Sequence, residues 1–262
     1  MEGNILRNSV YGPVTSRRLG CSLGINILPL RAKVCNFDCL YCECGWNAAP
    51  YVPEQHTGWK SNANEMLHVL EKRIEELVAA GTIPQIITFS GNGEPSLHPD
   101  FLQLVKGTTA IRDRLLPGVK VGIFSNSGML DKPGVFEALQ LADERFMKLD
   151  SAREETVRLI NRPQAGYTVA KTIERLKRFG GDFTLQTLFF RGTFEGQLID
   201  NTTPDELEGW FNVVDELKPQ KVMVYTLDRK TPAKDLQKCP SETLHQIAEA
   251  LEKRGIQVLL GE

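Results

Sequence analysis

Missing from this 262-residue sequence are long apolar runs, internal repeats, low-complexity tracts and any marked excess of one charge. Nowhere do about 18 uninterrupted apolar residues occur, which argues against a membrane-spanning helix. The first residues, MEGNILRNSVYGPVTSRRLG, lack the apolar core of a secretory signal, so a cytoplasmic location is expected. A formal charge of −2 offers no global attraction to nucleic acid or to an anionic membrane. With no Gly/Ser linker to mark a boundary, a single domain over 1–262 is expected. The four histidines, His56, His68, His98 and His245, show no metal-ligand spacing. Disulfides are also poorly supported. Of six cysteines, Cys21 and Cys239 stand apart while Cys35, Cys39, Cys42 and Cys44 crowd into one stretch. In a reducing compartment that pattern suits a metal or cluster site better than a disulfide framework.

What is present is a regular alternation of strand-like and helical patterns. SLGINIL (22–28) reads as a first strand, followed by a long irregular segment over 29–61 that contains the cysteines. NANEMLHVLEKRIEELVAAG (62–81) places Met66, Leu70, Ile74 and Leu77 at helical spacing, with Gly81 as the stop. Strands then recur at PQIITFSG, VKVGIFSNS, RFMKLD, DFTLQTLFF, KVMVYTL and IQVLL, each separated from the next by helical pattern. Six βα units plus a last strand call for an α/β architecture with a parallel sheet, because parallel neighbours need crossover connections. Ligands of such sheets gather at the carboxyl ends of the strands.

The segment KVCNFDCLYCECGW (33–46) admits three readings from its residues. Zinc wants four ligands, usually as two close pairs, and no second pair is present. A fully ligated ferredoxin-type cluster would need Cys44 or Cys21 as its fourth thiolate. The third reading is a [4Fe–4S] cluster on three cysteines, with one iron left open.

CNFDCLYC resembles the CxxxCxφC pattern of the radical S-adenosylmethionine (SAM) superfamily, with Tyr41 as the aromatic φ. GNGEP (91–95), at the end of the next strand, resembles that superfamily's glycine-rich segment followed by Glu-Pro. YGPVTSRRLGCSLGIN, KLDSA, INRP, LQTLFFRG, IDNTTPDE and YTLDRKTP extend the similarity to the branch that includes the wyosine-forming tRNA enzymes. The resemblance implies a partial (β/α)6 barrel with an extra C-terminal strand, and a [4Fe–4S] cluster on Cys35, Cys39 and Cys42. It implies that SAM binds the open iron and is cleaved to a 5′-deoxyadenosyl radical that abstracts hydrogen from a substrate. A one-electron donor such as flavodoxin or ferredoxin is implied with it. Cys44 is expected to be a nonligand, since a fourth thiolate would fill the open corner.

Strand ends supply the remaining candidates. Gly91, Asn92, Gly93 and Glu94 are expected to bring backbone close to the methionine moiety, with Glu94 accepting from its amino group. By resemblance Ser125 and Asn126 are candidates for ribose or carboxylate contacts, with turn or helix-cap roles as the plain alternative. Lys148 and Asp150 share one face of a strand, so they serve a ligand or pair with each other. Arg162 could pair with a carboxylate through its planar fork. Gln186, Tyr225, Asp228 and Arg229 are substrate-side candidates near strand ends. Asn201 is a further pocket candidate, although Thr203 before Pro204 reads as a helix start.

The substrate is less legible. Arg7, Arg17, Arg18, Arg31 and Lys33 give the N-terminal segment a basic bias that could meet RNA phosphate or simply be solvated. Cys21 and Cys239 do not reproduce the second cysteine set of the wyosine-forming enzymes. A tRNA base, a small metabolite and a peptide or protein all remain as substrates, and a structural zinc or electron-transfer protein remains as the non-enzyme reading.

Overall fold

The computed structural model describes residues 4–16, 18–48 and 63–262, so His56 and Arg17 lie outside the described residues. Eight strands form one curled sheet in the order β1-β2-β3-β4-β5-β6-β9-β11. Here β1 is Val10–Ser16, β2 Gly20–Ile25, β3 Ile86–Phe89, β4 Lys120–Ser125, β5 Glu144–Lys148, β6 Thr184–Leu188, β9 Lys221–Tyr225 and β11 Gln257–Gly261. From β2 onward every neighbouring pair is parallel, and only β1 pairs antiparallel, with β2. Helices α1 (Ala63–Ala79), α2 (Phe101–Leu115), α3 (Val135–Leu141), α4 (Glu154–Ile160), α5 (Val169–Lys177), α6 (Pro204–Leu217) and α7 (Ser241–Glu252) make the crossovers. The expected strand-helix units and closing C-terminal strand are therefore found, as a half-barrel.

Local sequence explains these elements. Along α1, Met66, Leu70, Ile74 and Leu77 are buried at helical spacing, and Gly81, at φ +68, ends the helix where side chains rarely fit. Thr203 caps α6 by accepting from Glu206 N at 3.4 Å, with Pro204 in the first turn, which is the helix start expected there. The central strands are buried on both faces. Val121 and Ile123 of β4 join the large core beneath the helices, whereas Ile86, Phe146 and Met223 form a small separate core inside the curl. This inner core fills the amino-terminal end of the half-barrel and leaves its polar side chains near the carboxyl ends.

Four strands, β1 and the three of a second, smaller sheet, differ from expectation. β1 lies in what reads as a basic N-terminal segment. DFTLQTLFF reads as one strand, but it divides after Leu188: β7 (Phe190–Phe194) leaves the barrel sheet and pairs with β8 (Gln197–Asp200) and β10 (Leu236–Lys238). The β7–β8 hairpin turns through Glu195 and Gly196, both at positive φ (51° and 77°), as a two-residue turn that matches strand twist requires. Asn201 fixes the point of departure. Its amide donates to Leu188 O and Asp150 O, both at 2.9 Å, and its oxygen accepts from Phe190 N at 2.9 Å.

His98, in the turn before α2, is fully buried, and Nδ1 accepts from Asp100 N at 3.0 Å, so the ring is neutral. Burial lowers its pKa from 6.5 to about 4, with the nearby Lys132 acting in the same direction against Asp100. In the unfolded chain His98 takes up a proton below about pH 6.5, whereas in the folded protein it does so only near pH 4. Stability should therefore be lost as pH falls from about 6.5 to about 4, and a plateau should follow for this group. Denaturant midpoints for wild type and His98→Gln across that range test this: the variant should show a flatter profile.

Candidate active site

The cysteine loop is held by backbone bonds on two sides. Val34 N donates to Asn92 O (2.8 Å) and Glu94 N to Val34 O (3.1 Å), which docks the loop on the turn after β3. Asp38 N reaches Asn161 O (3.0 Å) and Leu40 N reaches Ile160 O (2.9 Å), which docks it on the end of α4. Inside the loop, buried Lys33 donates to Asp38 Oδ1 (3.1 Å) and Gly45 O (2.9 Å), so it is a structural cation and adds nothing to a surface patch. All four loop cysteines are free thiols.

N–H groups point at two of the sulfurs. Phe37 N lies 3.4 Å from Cys35 Sγ and Asn126 Nδ2 3.6 Å from it, while Asn161 Nδ2 lies 3.4 Å from Cys39 Sγ. Burial pushes the Cys35 and Cys39 thiols up, against the opposing pull of Lys33 and, for Cys39, Lys148. Thiolates there call for a positive partner. Cys42 is drawn down to about 6 by a hydrogen bond from Cys44 and by Lys33, against burial, and Cys44 is correspondingly pushed up. Cys44 also donates to Gly91 O at 3.5 Å.

Tyr41 leaves the loop in the opposite direction and enters a closed polar network. Its hydroxyl donates to Asp150 Oδ2 and accepts from Lys148 Nζ (2.6 Å) and Asn161 Nδ2 (3.0 Å). Asp150, 1% exposed, also accepts from Asn161 Nδ2 (2.6 Å), Lys148 Nζ (3.2 Å) and Leu188 N (3.0 Å). Burial, the largest single influence, disfavours charge on Lys148, but Asp150, Tyr225 and Cys39 together outweigh it and raise the lysine pKa; burial and Asp150 together raise that of Tyr41. The two candidates therefore pair with each other and orient the aromatic of the cysteine loop. Asn161 was not singled out from the sequence, although INRP was. Its neighbour Arg162, at φ +47, is exposed and lies over the rings of Trp46 (5.2 Å) and Phe194 (5.6 Å).

The turn after β3 is equally determined. Glu94 is buried, with both oxygens supplied: Ser96 N (3.1 Å), Ser96 Oγ (2.5 Å) and Ser125 Oγ (3.0 Å) donate to one, and Asn126 N (2.6 Å) to the other. Burial raises its pKa and these donors oppose the rise. Glu94 thus joins the β3 and β4 ends. Asn126 extends the join to the cysteine loop through Asn36 Oδ1 (2.6 Å). Asn92 has its side chain engaged with Leu6 N, Leu6 O and Pro29 O, so its task is to anchor the N-terminal segment. Gly93, at φ +138, has no room for a side chain: a Cβ would meet Val34 O at 1.9 Å. Gly93→Ala should break the Val34 contacts and destabilise the fold by roughly 2–3 kcal/mol, from backbone strain plus two lost hydrogen bonds. Urea denaturation measures this, and a change below about 0.5 kcal/mol would show that the loop does not depend on that approach.

Inside the half-barrel, Lys148 of β5 lies beside Gln186 of β6, whose side chain donates to Phe146 O at 2.9 Å. Tyr225 lines the same interior on β9. Asp228 and Arg229 follow β9 at the rim, where Arg229 pairs with Glu43 at 2.7 Å. A cavity of about 670 Å³ runs from Cys44, Ser90 and Gly91 down to Arg18 and Leu19.

The sequence profile of the Radical SAM superfamily matches residues 31–201, which contain the cysteine loop and the carboxyl ends of β3 to β6. The chain belongs to the radical SAM superfamily. A UPF0026 protein of Synechocystis sp. is 30% identical over 236 residues, covering 88% of this chain and 78% of that protein. A protein of Brachyspira hyodysenteriae named GTPase Obg is 29% identical over 227 residues, but the chain spans only 30% of its length. Streptococcus suis SuiB bound to S-adenosylmethionine shares the fold with a TM-score of 0.62 at 13% identity, over 88% of this chain and 48% of that one. TYW1 with a lysine-pyruvate adduct bound shares it at 0.58 and 13%, over 90% and 74%. The radical SAM fold is the partial barrel expected from the sequence, and the chain carries a radical SAM domain. Among the described residues, no helix is long and apolar enough to cross a membrane.

The residues fit the cluster that this superfamily implies. The donor set is three thiols on one short loop with N–H groups directed at two sulfurs, which is the environment of cluster thiolates. Among the described residues, no three His, Cys, Asp or Glu side chains are arranged around a single metal ion. Thiolates that bind separate corners of a cube need not converge in that way.

Proposed function

We propose that Cys35, Cys39 and Cys42 hold a [4Fe–4S] cluster with one iron open to SAM, and that the substrate binds inside the half-barrel. When bound, cluster and SAM supply the chemistry of the superfamily, reductive cleavage to methionine and a 5′-deoxyadenosyl radical that abstracts hydrogen. The observation carrying this reading is the docking of a three-thiol loop on the Gly91–Glu94 turn, beside the cavity that Cys44 and Gly91 line.

The protein residues have separable tasks. Asn126 and Asn161 direct N–H groups at Cys35 and Cys39, which stabilises negative charge on those sulfurs. Tyr41 is fixed by Lys148, Asp150 and Asn161, so the wall beside the cysteines is set before any ligand arrives. Glu94, Ser125 and Asn126 align the β3 and β4 ends that would face SAM, and Gly91 makes room for the Asn26 side chain, whose Oδ1 a Cβ there would meet at 2.2 Å. Cys44 stays a thiol directed at Gly91 O and leaves the fourth corner open. A one-electron donor of the flavodoxin or ferredoxin kind reduces the cluster.

The test is anaerobic reconstitution with iron and sulfide, followed by a strong reductant and SAM. Formation of 5′-deoxyadenosine and methionine is expected. Material that holds a full cluster yet releases neither product would overturn the proposal.

A further inference from the structure

The turn between β1 and β2 folds into the open side of the half-barrel, where it presents Leu19 and Arg18. Leu19 packs on the inner core of Ile86, Phe146 and Met223. Arg18 crosses to the opposite edge: its guanidinium lies 4.4 Å from the ring centre of Tyr225, and Nη1 reaches Met223 Sδ at 3.2 Å. Gly261 makes the crossing possible, since a Cβ there would meet Arg18 Cδ at 3.0 Å. The result is a half-buried guanidinium on the wall of the cavity that Cys44 and Gly91 also line.

Charges around Arg18 are already matched elsewhere. Glu43 pairs with Arg229 at the rim, Glu144 with Lys120 and Lys221 at the barrel base, and Asp150 with Lys148. Asp228 has a partner of its own. Among the described residues no carboxylate pairs with Arg18, and a thioether and an aromatic face are weak substitutes for one. Along the wall, four hydroxyls form a continuous row. Ser22 and Thr88 lie 3.1 Å apart, Thr88 and Ser90 3.3 Å, and Ser90 and Tyr11 2.7 Å. Each hydroxyl keeps spare capacity to donate or accept.

We infer that this cavity takes a small organic carboxylic acid as substrate, its carboxylate on Arg18 and its polar body along the Ser22–Thr88–Ser90 row. The inference rests on the radical SAM reading and adds the substrate class. One unmatched cation among the described residues of the cavity suits a monoanion, and the planar guanidinium matches a carboxylate. A phosphate monoester would bring about two charges to a single cation.

The experiment uses the anaerobically reconstituted protein with SAM present and a panel of C3 to C6 oxo- and hydroxy-carboxylic acids. Each acid is paired with its amide, with phosphate monoesters and unmodified tRNA as further probes. Binding is read by saturation-transfer NMR and calorimetry, and cluster content by iron and sulfide analysis of the same sample. At least one acid should bind in clear preference to its amide. Arg18→Gln should weaken it on the order of tenfold to hundredfold, and Arg18→Lys should lose less. Thr88→Val should weaken binding while keeping the preference for acid over amide, which guards against a folding defect in the arginine variants. The inference is overturned if no acid is preferred to its amide, if Arg18→Gln binds as wild type does, or if only phosphate esters or tRNA bind. Loss of the cluster in wild type would instead sink the radical SAM reading, so the two failures are distinguishable.

Discussion

Replacing any one of Cys35, Cys39 and Cys42 by alanine should reduce 5′-deoxyadenosine formation to background and remove most of the bound iron and sulfide. A cube held by three corners has no spare ligand, and short loop spacing gives the remaining two thiolates no way to recruit another. Cys44 is the nearest thiol, but it lies outside the triplet, beside Cys42 and 3.5 Å from Gly91 O on the cavity wall. Cys44→Ala should therefore retain iron and sulfide near the wild-type level. Each of the four variants should keep the half-barrel, because the loop is docked through backbone bonds of Val34, Asp38 and Leu40. Iron analysis and circular dichroism on the same samples separate loss of the cluster from loss of the fold. Full iron in Cys39→Ala, or its loss in Cys44→Ala, would reassign the ligands.

Asp150→Leu should be among the most destabilising single substitutions in the chain, by about 3–5 kcal/mol, since it leaves the Lys148 ammonium buried without its carboxylate. Four groups lose their acceptor together: Tyr41 Oη, Asn161 Nδ2, Lys148 Nζ and Leu188 N. Asp150 is fully buried at its side chain and Lys148 14% exposed, so solvent can relieve the lysine only in part. Combining Asp150→Leu with Lys148→Met should recover much of the loss, as replacing both members of a buried pair by apolar groups costs far less than removing one. Urea denaturation of the two single variants and the double variant measures the coupling. Additive losses would show that the pair does not hold the network together.

Much of this was legible in the sequence, for identifiable reasons. The parallel strands are buried on both faces and so read as unbroken apolar runs, and α1 carries its buried residues at helical spacing between clear ends. The cysteine triplet and GNGEP stand out because their spacing and their place after a strand are rare together. Less visible were features whose meaning depends on a distant partner. β1 is mostly half-buried and contains Gly12 and Pro13, so it lacks the apolar alternation that marks a strand. Phe189 and Phe190 prolong the apolar pattern of β6, so the start of β7 merges with it, and Arg191 and Gly192 are the first sign that the chain has left the barrel. In INRP, charge drew attention to Arg162, whereas the neutral Asn161 bonds Cys39, Tyr41 and Asp150. Arg18 looked like one more basic residue of an exposed segment until the β1–β2 turn placed it inside.

Mössbauer spectroscopy of 57Fe-reconstituted, oxygen-free protein, before and after SAM is added, tests the central claim most directly. Three irons in sulfur coordination should be unchanged by SAM, and one should shift to the larger isomer shift of a site that has gained nitrogen and oxygen donors. Four irons that respond identically, or none that responds, would contradict the account.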